Sequence, residues 1–364
     1  MINASKSKAE EKFAEEFAKL MIQKIEMLTQ DWTQPWFNTK GVGYPQSITG
    51  RMYNGMNSFM LYLLTEMKQF KTPVFMTFNQ AQKQNVSILK GQKCFPVIYW
   101  DFTIRHKETR EKITLQEYQK LTTSEKDNYI FRPFLVYHNV FNIDQTNLQE
   151  VNPELYKQFE DKFKVQEVKD ANGLYSHPAL DDMLNQNGWL CKVNVQESNN
   201  AFYRPSTDEI VVPLKGQFDS GEAFYATLLH EMTHSTGTEA RLNRKHGKTF
   251  GDDDYAQEEL VAELTSAMVC QSIGITTSIR EENAAYLKGW LGKIKQSPDF
   301  LMTILEDVNK ANRMIINEVA KFDMKMSEEL KNQEAINKKE EENRTEANDT
   351  KVRQAIPRKK YMHI

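Results

Sequence analysis

The stretch that most constrains this chain is Leu229-His230-Glu231-Met232-Thr233-His234. Two histidines four residues apart meet only if the backbone between them is helical. They then stand one above the other on a single face, and both imidazoles can reach one point. Glu231, beside the first histidine, projects next to that point rather than onto it. Two neutral nitrogen donors, an open position for water and a carboxylate to take that water's proton are what a zinc hydrolase requires. A helix that carries two histidines by coincidence has the same spacing, so the surrounding sequence has to decide between them.

That surrounding sequence supplies a small framework. A strand is expected over 189–195, and residues 200–205 and 209–213 read as two further strands joined by the polar turn Ser206-Thr207-Asp208. Pro213 suits a strand end, because proline cannot donate to a ladder. Asp219 and Glu222 have the spacing of a capping box at the start of the histidine helix. Phe224, Leu228, Leu229 and Met232 give that helix an apolar side, and Gly237 stops it.

Two histidines leave a zinc ion short of a third ligand. A histidine ten residues after the first would complete one large class of zinc proteases, but that position is Ala240. The next helix offers Glu259 and Glu263, i and i+4 on one face, beside a buried stripe of Leu260, Leu264 and Ala267. One carboxylate can ligate while the other accepts a proton from a ligand imidazole. The expectation is Glu259 as ligand and Glu263 behind it, with His246 as the alternative third ligand and a solvated acidic face as the non-functional alternative.

A chain of 364 residues is long enough for two domains plus appendages. Its formal net charge of −3 means that a nucleic-acid partner would have to be met by a local basic surface. Cys94, Cys191 and Cys270 are scattered and odd in number, which argues against a disulfide framework and for a reducing compartment. The first residues are charged, without an apolar leader core, and no apolar run is long enough to span a bilayer. A cytoplasmic protein without a membrane partner is expected.

The N-terminal half mixes helices and strands. Phe13, Phe17, Leu20, Met21, Ile25 and Leu28 mark an amphipathic helix over 9–28. An irregular stretch rich in Trp, Pro and Gly follows over 31–55, then a helix over 57–68 with Asn57 or Ser58 as its cap. Strands are expected over 74–78, 95–102 and 134–141, with a helical turn over 79–84 and the turn Lys90-Gly91-Gln92-Lys93. Between Trp32 and Trp100, Lys40, Arg51, Lys68, Lys71, Lys83, Lys90 and Lys93 face a single acidic residue, Glu66, among the rings of Trp32, Trp36, Phe37, Tyr44, Tyr53, Phe75 and Phe78. Such interleaving suits single-stranded nucleic acid, with lysines for the phosphates and rings on which bases stack. It equally suits an aromatic core under a solvated basic face.

The remaining segments give an organisation. Residues 151–175 read as a linker, helices over 284–294 and 300–319 pack around the histidine site, and the Lys- and Glu-rich stretch beyond 327 reads as a charged tail, either disordered or a frayed helix. The expected layout is an N-terminal domain over 1–150, the linker, a second domain over 176–326 and the tail over 327–364.

Several motifs recur in order: Trp32 to Trp36, the run from Ile48 through Asn57, Thr77-Phe78-Asn79-Gln80-Ala81 and Lys90-Gly91 in the first half. In the second half they are Ala201-Phe202-Tyr203, Tyr225-Ala226-Thr227 leading into the histidine helix, Arg241-Leu242-Asn243-Arg244, and Glu258 to Glu263. On these motifs the chain resembles the ArdC-like antirestriction proteins of mobile elements, over most of its length. The resemblance implies an α+β protein in which a mixed α/β single-stranded-DNA-binding domain precedes a zincin-like metallopeptidase domain. It also implies an acidic third metal ligand on the helix after the histidines, which agrees with Glu259. Ser235 departs from the family pattern, where a bulky aromatic is frequent.

The expected site is therefore zinc on His230, His234 and Glu259, Glu231 as the base, Glu263 in support, and DNA contacts from Trp32, Trp36, Lys40, Arg51, Tyr53, Lys90 and Lys93. The protein substrate is not legible. The competing expectation is a non-enzymatic protein that coats single strands, with a structural or vestigial zinc site. A two-metal nuclease fits less well, because one acidic ligand beside HExxH suits one zinc.

Overall fold

The computed structural model describes residues 8–31, 34–37, 43–164, 168–244, 253–275, 286–324, 326–328, 331–332 and 335. Trp32, Lys40, His246 and nearly all of the charged tail lie outside the described residues. Two compact units partition the chain, a larger one of Met1–Val97 with His138–Ser327 and a smaller one of Ile98–Tyr137 with Glu328–Ile364.

In the larger unit the first helix, α1, spans Lys8–Gln30. Its apolar stripe is buried as the spacing predicts, with Phe13, Phe17, Met21, Ile25 and Leu28 inaccessible to solvent. Helix α2, Met56–Met67, packs its aromatic side against that stripe, the ring of Phe59 lying edge-on to Phe17 at 5.8 Å. The expected cap at Asn57 or Ser58 is not used. Gly55 is the N-cap, with φ of 64°, and Asn57 and Ser58 are buried within the helix. A Cβ at Gly55 would crowd the Asn309 amide, and its left-handed backbone independently favours glycine.

Strands β1, Gln46–Ser47, and β2, Val74–Thr77, run parallel and begin a five-stranded sheet. After β2 comes the short helix α3, Phe78–Lys83, closed by a capping box between Thr77 and Gln80. The strand expected over 95–102 is longer, β3 at Phe95–His106, and pairs with β4, Lys112–Ile113. Helices α4, Leu115–Lys120, and α5, Thr123–Lys126, follow, each opened by a Thr and Glu capping box. Strand β5, Tyr129–Asn142, is antiparallel to β2, and the sheet order is β1-β2-β5-β3-β4. In the smaller unit Phe102, Phe131, Tyr118 and Tyr129 form a chain of ring contacts.

The stretch read as a linker begins in helix. Helix α6, Leu148–Val151, is followed by α7, Pro153–Lys162, with Asn152 accepting at its N-terminus. Tyr156, Phe159 and Phe163 are buried with Ile48, Val74, Met76 and Ile143. Its charged outer face hides the apolar period, in which these aromatics, three and four apart and continuing past the end of α7, enter the core.

The C-terminal half places helix α8, Pro178–Asn185, before a three-stranded sheet of β6, Lys192–Gln196, β7, Phe202–Arg204, and β8, Glu209–Pro213. The order is β6-β8-β7, with β6 parallel and β7 antiparallel to β8. Pro213 ends the central strand, where its missing N–H matters least. Ile210, Val211 and Val212 are buried next to helix α9, Gly221–Thr236. Helix α10, Asp253–Ile273, lies against α9 and is buried almost all round, as a helix in the middle of a domain must be. Helices α11, Leu287–Gln296, and α12, Pro298–Val319, complete the unit and also meet α1. Lys295 pairs with Glu26, and the Asn312 amide donates to the Tyr44 hydroxyl, so the two halves share one packed body within this unit. No described helix is long and apolar enough to cross a membrane.

Candidate metal centre

Helix α9 starts one residue later than the Asp219 and Glu222 spacing suggests. Ser220 is the N-cap and accepts from Ala223 N at 3.1 Å. Gly221 takes the first helical position, where a Cβ would collide with the Tyr175 backbone. The helix ends at Thr236 with Gly237 as its cap, but Gly237 keeps a right-handed backbone with φ of −78°, so its conformational freedom is not needed there.

Helical spacing brings the two histidines together as the sequence implies. His230 Nε2 and His234 Nε2 are 3.1 Å apart, and the rings meet edge-on. Glu259 on α10 faces both, with Oε2 3.4 Å from His230 Nε2 and Oε1 3.5 Å from His234 Nε2. One ligand atom from each of His230, His234 and Glu259 falls within 4.8 Å of the others. Two imidazole nitrogens and one carboxylate oxygen, converging at this separation, form a donor set suited to a single first-row divalent cation.

Behind this triangle each histidine meets another carboxylate. His234 Nδ1 is 3.2 Å from Glu258 Oε1, and His230 Nδ1 is 3.8 Å from Glu263 Oε1. Glu263 thus lies where the sequence put it, though beyond hydrogen-bond length, and buried His230 Nδ1 has no hydrogen-bond partner among the described residues. Glu258 carries the closer contact. Sequence spacing did not select it, because i and i+4 arithmetic on α10 pairs Glu259 with Glu263 and leaves Glu258 a neighbour.

Arg244, in the chain after α9, grips Glu258 with Nε to Oε2 at 3.0 Å and Nη2 to Oε1 at 2.7 Å. Arg244, Glu258, Glu259, Glu263 and Glu231 are all buried. Breaking one side of a buried pair of this kind typically costs ~3–5 kcal/mol, since a bare charge is left behind.

The electrostatics follow from this crowding. Burial works to raise the Glu258 carboxyl, but the hydrogen bonds and charges of Arg244 and His234 overcome it and hold it at about 2. Glu259 is likewise held well below the usual carboxylate range: burial is outweighed by His230 and His234, with a contribution from the Tyr255 hydroxyl. For His234 burial disfavours the cation, yet the Glu258 hydrogen bond and the charges of Glu259, Glu231 and Glu258 raise it to about 9. A pocket that stabilises positive charge on an imidazole to this degree would do the same for a metal cation.

Ser235, the departure from the family pattern, faces away from the site. Its hydroxyl accepts from Trp189 Nε1 at 3.0 Å and donates to Met232 O at 2.7 Å. The indole of Trp189, in the bend before β6, is itself buried at 6% exposure.

The expected DNA contacts divide sharply. Trp36 is inaccessible and Tyr53 is 4% exposed, its ring edge-on to Phe75 at 6.3 Å, so neither offers a face on which a base could stack. Both rings serve the core, because a large apolar ring gains more from burial than from exposure. Arg51 is half-buried, and Lys90 and Lys93 are exposed. The turn that carries these lysines is fixed from beneath by Gln145, which donates to Lys93 O at 2.9 Å and accepts at its backbone from Leu89 N at 2.9 Å. Phe78 at the start of α3 is 53% exposed and presents the open ring that Trp36 and Tyr53 do not.

Comparison with known proteins matches two stretches of the chain to known domains. Residues 11–141 match the N-terminal domain of the anti-restriction factor ArdC, and residues 178–304 match a zincin-like metallopeptidase domain. Two Escherichia coli proteins named DNA primase TraC are 28% and 29% identical over 89% and 84% of this chain. The matched region spans only 28% and 20% of those primases. An uncharacterized Sinorhizobium fredii protein, y4eC, is 25% identical over 78% of this chain and 84% of its own length. The metal-free crystal structure of antirestriction protein ArdC from plasmid R388 superposes with a TM-score of 0.63 and 27% identity, covering 85% of this chain and 98% of that one. Its Mn(II)-bound form gives a TM-score of 0.61 at 25% identity, covering 84% of this chain and 98% of that one. With the two domain matches in this order and the site geometry already described, the chain belongs with the ArdC-like antirestriction proteins, an ArdC N-terminal domain joined to a zincin-like metallopeptidase domain.

Proposed function

We propose that this protein binds single-stranded DNA through its N-terminal domain and hydrolyses peptide bonds at a zinc centre held by His230, His234 and Glu259. The observation that carries the reading is the convergence of His230 Nε2, His234 Nε2 and the Glu259 carboxylate, with the buried Glu231 on the same helix. The Mn(II)-bound state of R388 ArdC supports a divalent cation in such a fold. Zinc is favoured here because two imidazoles and one carboxylate, with a fourth position left for water, are the donor set of catalytic zinc.

When bound, zinc supplies Lewis acidity toward a peptide carbonyl and toward water. Glu231 takes the proton of the attacking water and delivers it to the leaving amine nitrogen, so one carboxylate serves as base and then as acid. Glu259 contributes charge, and the buried surroundings strengthen each of these interactions.

For the N-terminal domain, Lys90, Lys93 and the half-buried Arg51 supply phosphate contacts and Phe78 a stacking surface. The presence of a similar stretch within proteins named DNA primases supports a role on DNA. The test is cleavage of candidate partner proteins by zinc-loaded protein with and without single-stranded DNA, beside the Glu231→Gln variant. The variant should retain zinc and lose at least ~10²-fold in rate, the usual weight of a general base. Equal cleavage by the variant would remove Glu231 from the mechanism.

A further inference from the structure

We infer that Arg244 is a positioning residue for the metal centre, acting through Glu258 to hold His234 with its Nε2 lone pair turned toward the cation. This rests on the reading of His230, His234 and Glu259 as metal ligands. It adds a residue whose own clamp is on Glu258 rather than on any of the three.

The geometry carries the inference. The guanidinium is fixed at three places. Its Nε and Nη2 hold the two Glu258 oxygens, Nη1 donates to Thr236 Oγ1 at 2.8 Å, and Nη2 donates to Thr233 O at 2.8 Å. Thr233 and Thr236 flank His234 on α9, whereas Glu258 belongs to α10, so one side chain sets the spacing between the helix that carries the histidine and the carboxylate behind it. The backbone turn is pinned as well, with Arg244 N donating to Gly237 O at 2.9 Å.

Glu258 Oε1 accepts from Arg244 and also faces His234 Nδ1. A carboxylate has no proton to give, so Nδ1 must be the donor. A neutral imidazole protonated at Nδ1 carries its lone pair on Nε2, the atom that faces His230 Nε2 at 3.1 Å and Glu259 Oε1 at 3.5 Å. Two parallel bonds from a planar guanidinium fix the plane of the carboxylate, which a lysine's point charge would not do. Arg241 provides an internal contrast. It makes a similar clamp on Asp208 and bonds Ser235 O, but Asp208 sits on the turn between β7 and β8, away from the ligand atoms.

The test compares the full chain with Arg244→Lys, Arg244→Met, Glu258→Gln, the double variant Arg244→Lys/Glu258→Gln, and Arg241→Lys. The readouts are zinc affinity by chelator competition, melting temperature of the metal-free protein, and the Nδ1 proton resonance of His234 in the zinc-loaded protein. Arg244→Lys and Glu258→Gln should each weaken zinc about 10–100-fold, as removing support behind a ligand does, and should expose the Nδ1 proton to solvent exchange. Because Arg244 acts through Glu258, the double variant should be no weaker than Glu258→Gln by more than about twofold. Arg241→Lys should lower the melting temperature while leaving zinc affinity within about twofold of wild type.

If Arg244→Met fails to fold, Arg244→Lys and Glu258→Gln, which keep a polar head in place, carry the comparison. Zinc affinity unchanged in both, with wild type binding normally, would overturn this inference alone. Fully additive losses in the double variant would do the same. A wild-type protein that binds no zinc would overturn the metal reading and this inference together.

Discussion

His234 Nδ1 and Glu258 Oε1 stand 3.2 Å apart, while His230 Nδ1 and Glu263 Oε1 stand 3.8 Å apart, so the two histidines are supported unequally. The first separation is a hydrogen bond and the second is an electrostatic contact. Glu263→Gln should therefore weaken zinc by about tenfold, at the lower end of what such outer residues contribute, and by less than Glu258→Gln. Chelator competition on the two variants checks the order. A larger effect of Glu263→Gln would mean that His230 depends on its carboxylate more than His234 does.

The buried indole of Trp36 makes a prediction about stability rather than DNA. Trp36→Ala should destabilise the protein by ~3–5 kcal/mol, the cost of an emptied aromatic site, measured by denaturant unfolding. Because its Nε1 has no hydrogen-bond partner among the described residues, Trp36→Phe should be far milder. A Trp36→Ala protein of wild-type stability with weakened DNA affinity alone would restore the ring as a DNA-binding group.

Lys90 and Lys93 are the exposed cations on the Gln145-braced turn. Reversing both to Glu should weaken single-stranded DNA binding and reduce the slope of log affinity against log salt by about 0.7 for each phosphate that is no longer neutralised. An unchanged slope would place the DNA elsewhere on the domain.

Lys24 is buried on α1, its side chain 2% exposed, with Glu66 at 3.7 Å. Burial lowers its pKa from 10.5, and Glu66 offsets this only in part. A lysine whose folded pKa lies below its unfolded value destabilises the fold while charged in both states. That penalty is present at neutral pH and fades as pH rises from the folded pKa through 10.5. Lys24→Met should thus match or exceed wild type at pH 7, with the advantage shrinking toward high pH. A variant clearly less stable than wild type at pH 7 would show that the Glu66 pair is net stabilising.

The site was legible wherever helical arithmetic suffices. The four-residue step from His230 to His234, the face of Glu259 and Glu263, and the stripe from Phe13 to Leu28 all follow from a period of 3.6. What the sequence could not give is direction. Seven basic residues among aromatic rings do not say which way Trp36 and Tyr53 point, and in the fold both point inward. Nor could spacing reveal that Arg244, ten residues past His234, folds back under it, because that contact depends on the turn after α9 and on the rotation of α10. The charged segment around α7 was hidden for a related reason: Tyr156, Phe159 and Phe163 carry its packing among polar neighbours.

The central claim is that one zinc ion is held by His230, His234 and Glu259. The most direct measurement is anomalous scattering at the zinc edge from zinc-loaded crystals of wild type and Glu259→Ala. The account predicts one peak in wild type, bounded by His230 Nε2, His234 Nε2 and a Glu259 oxygen, and its loss or collapse in the variant. A wild-type peak completed by His246 with Glu259 turned away, or no peak between the histidines, would contradict it.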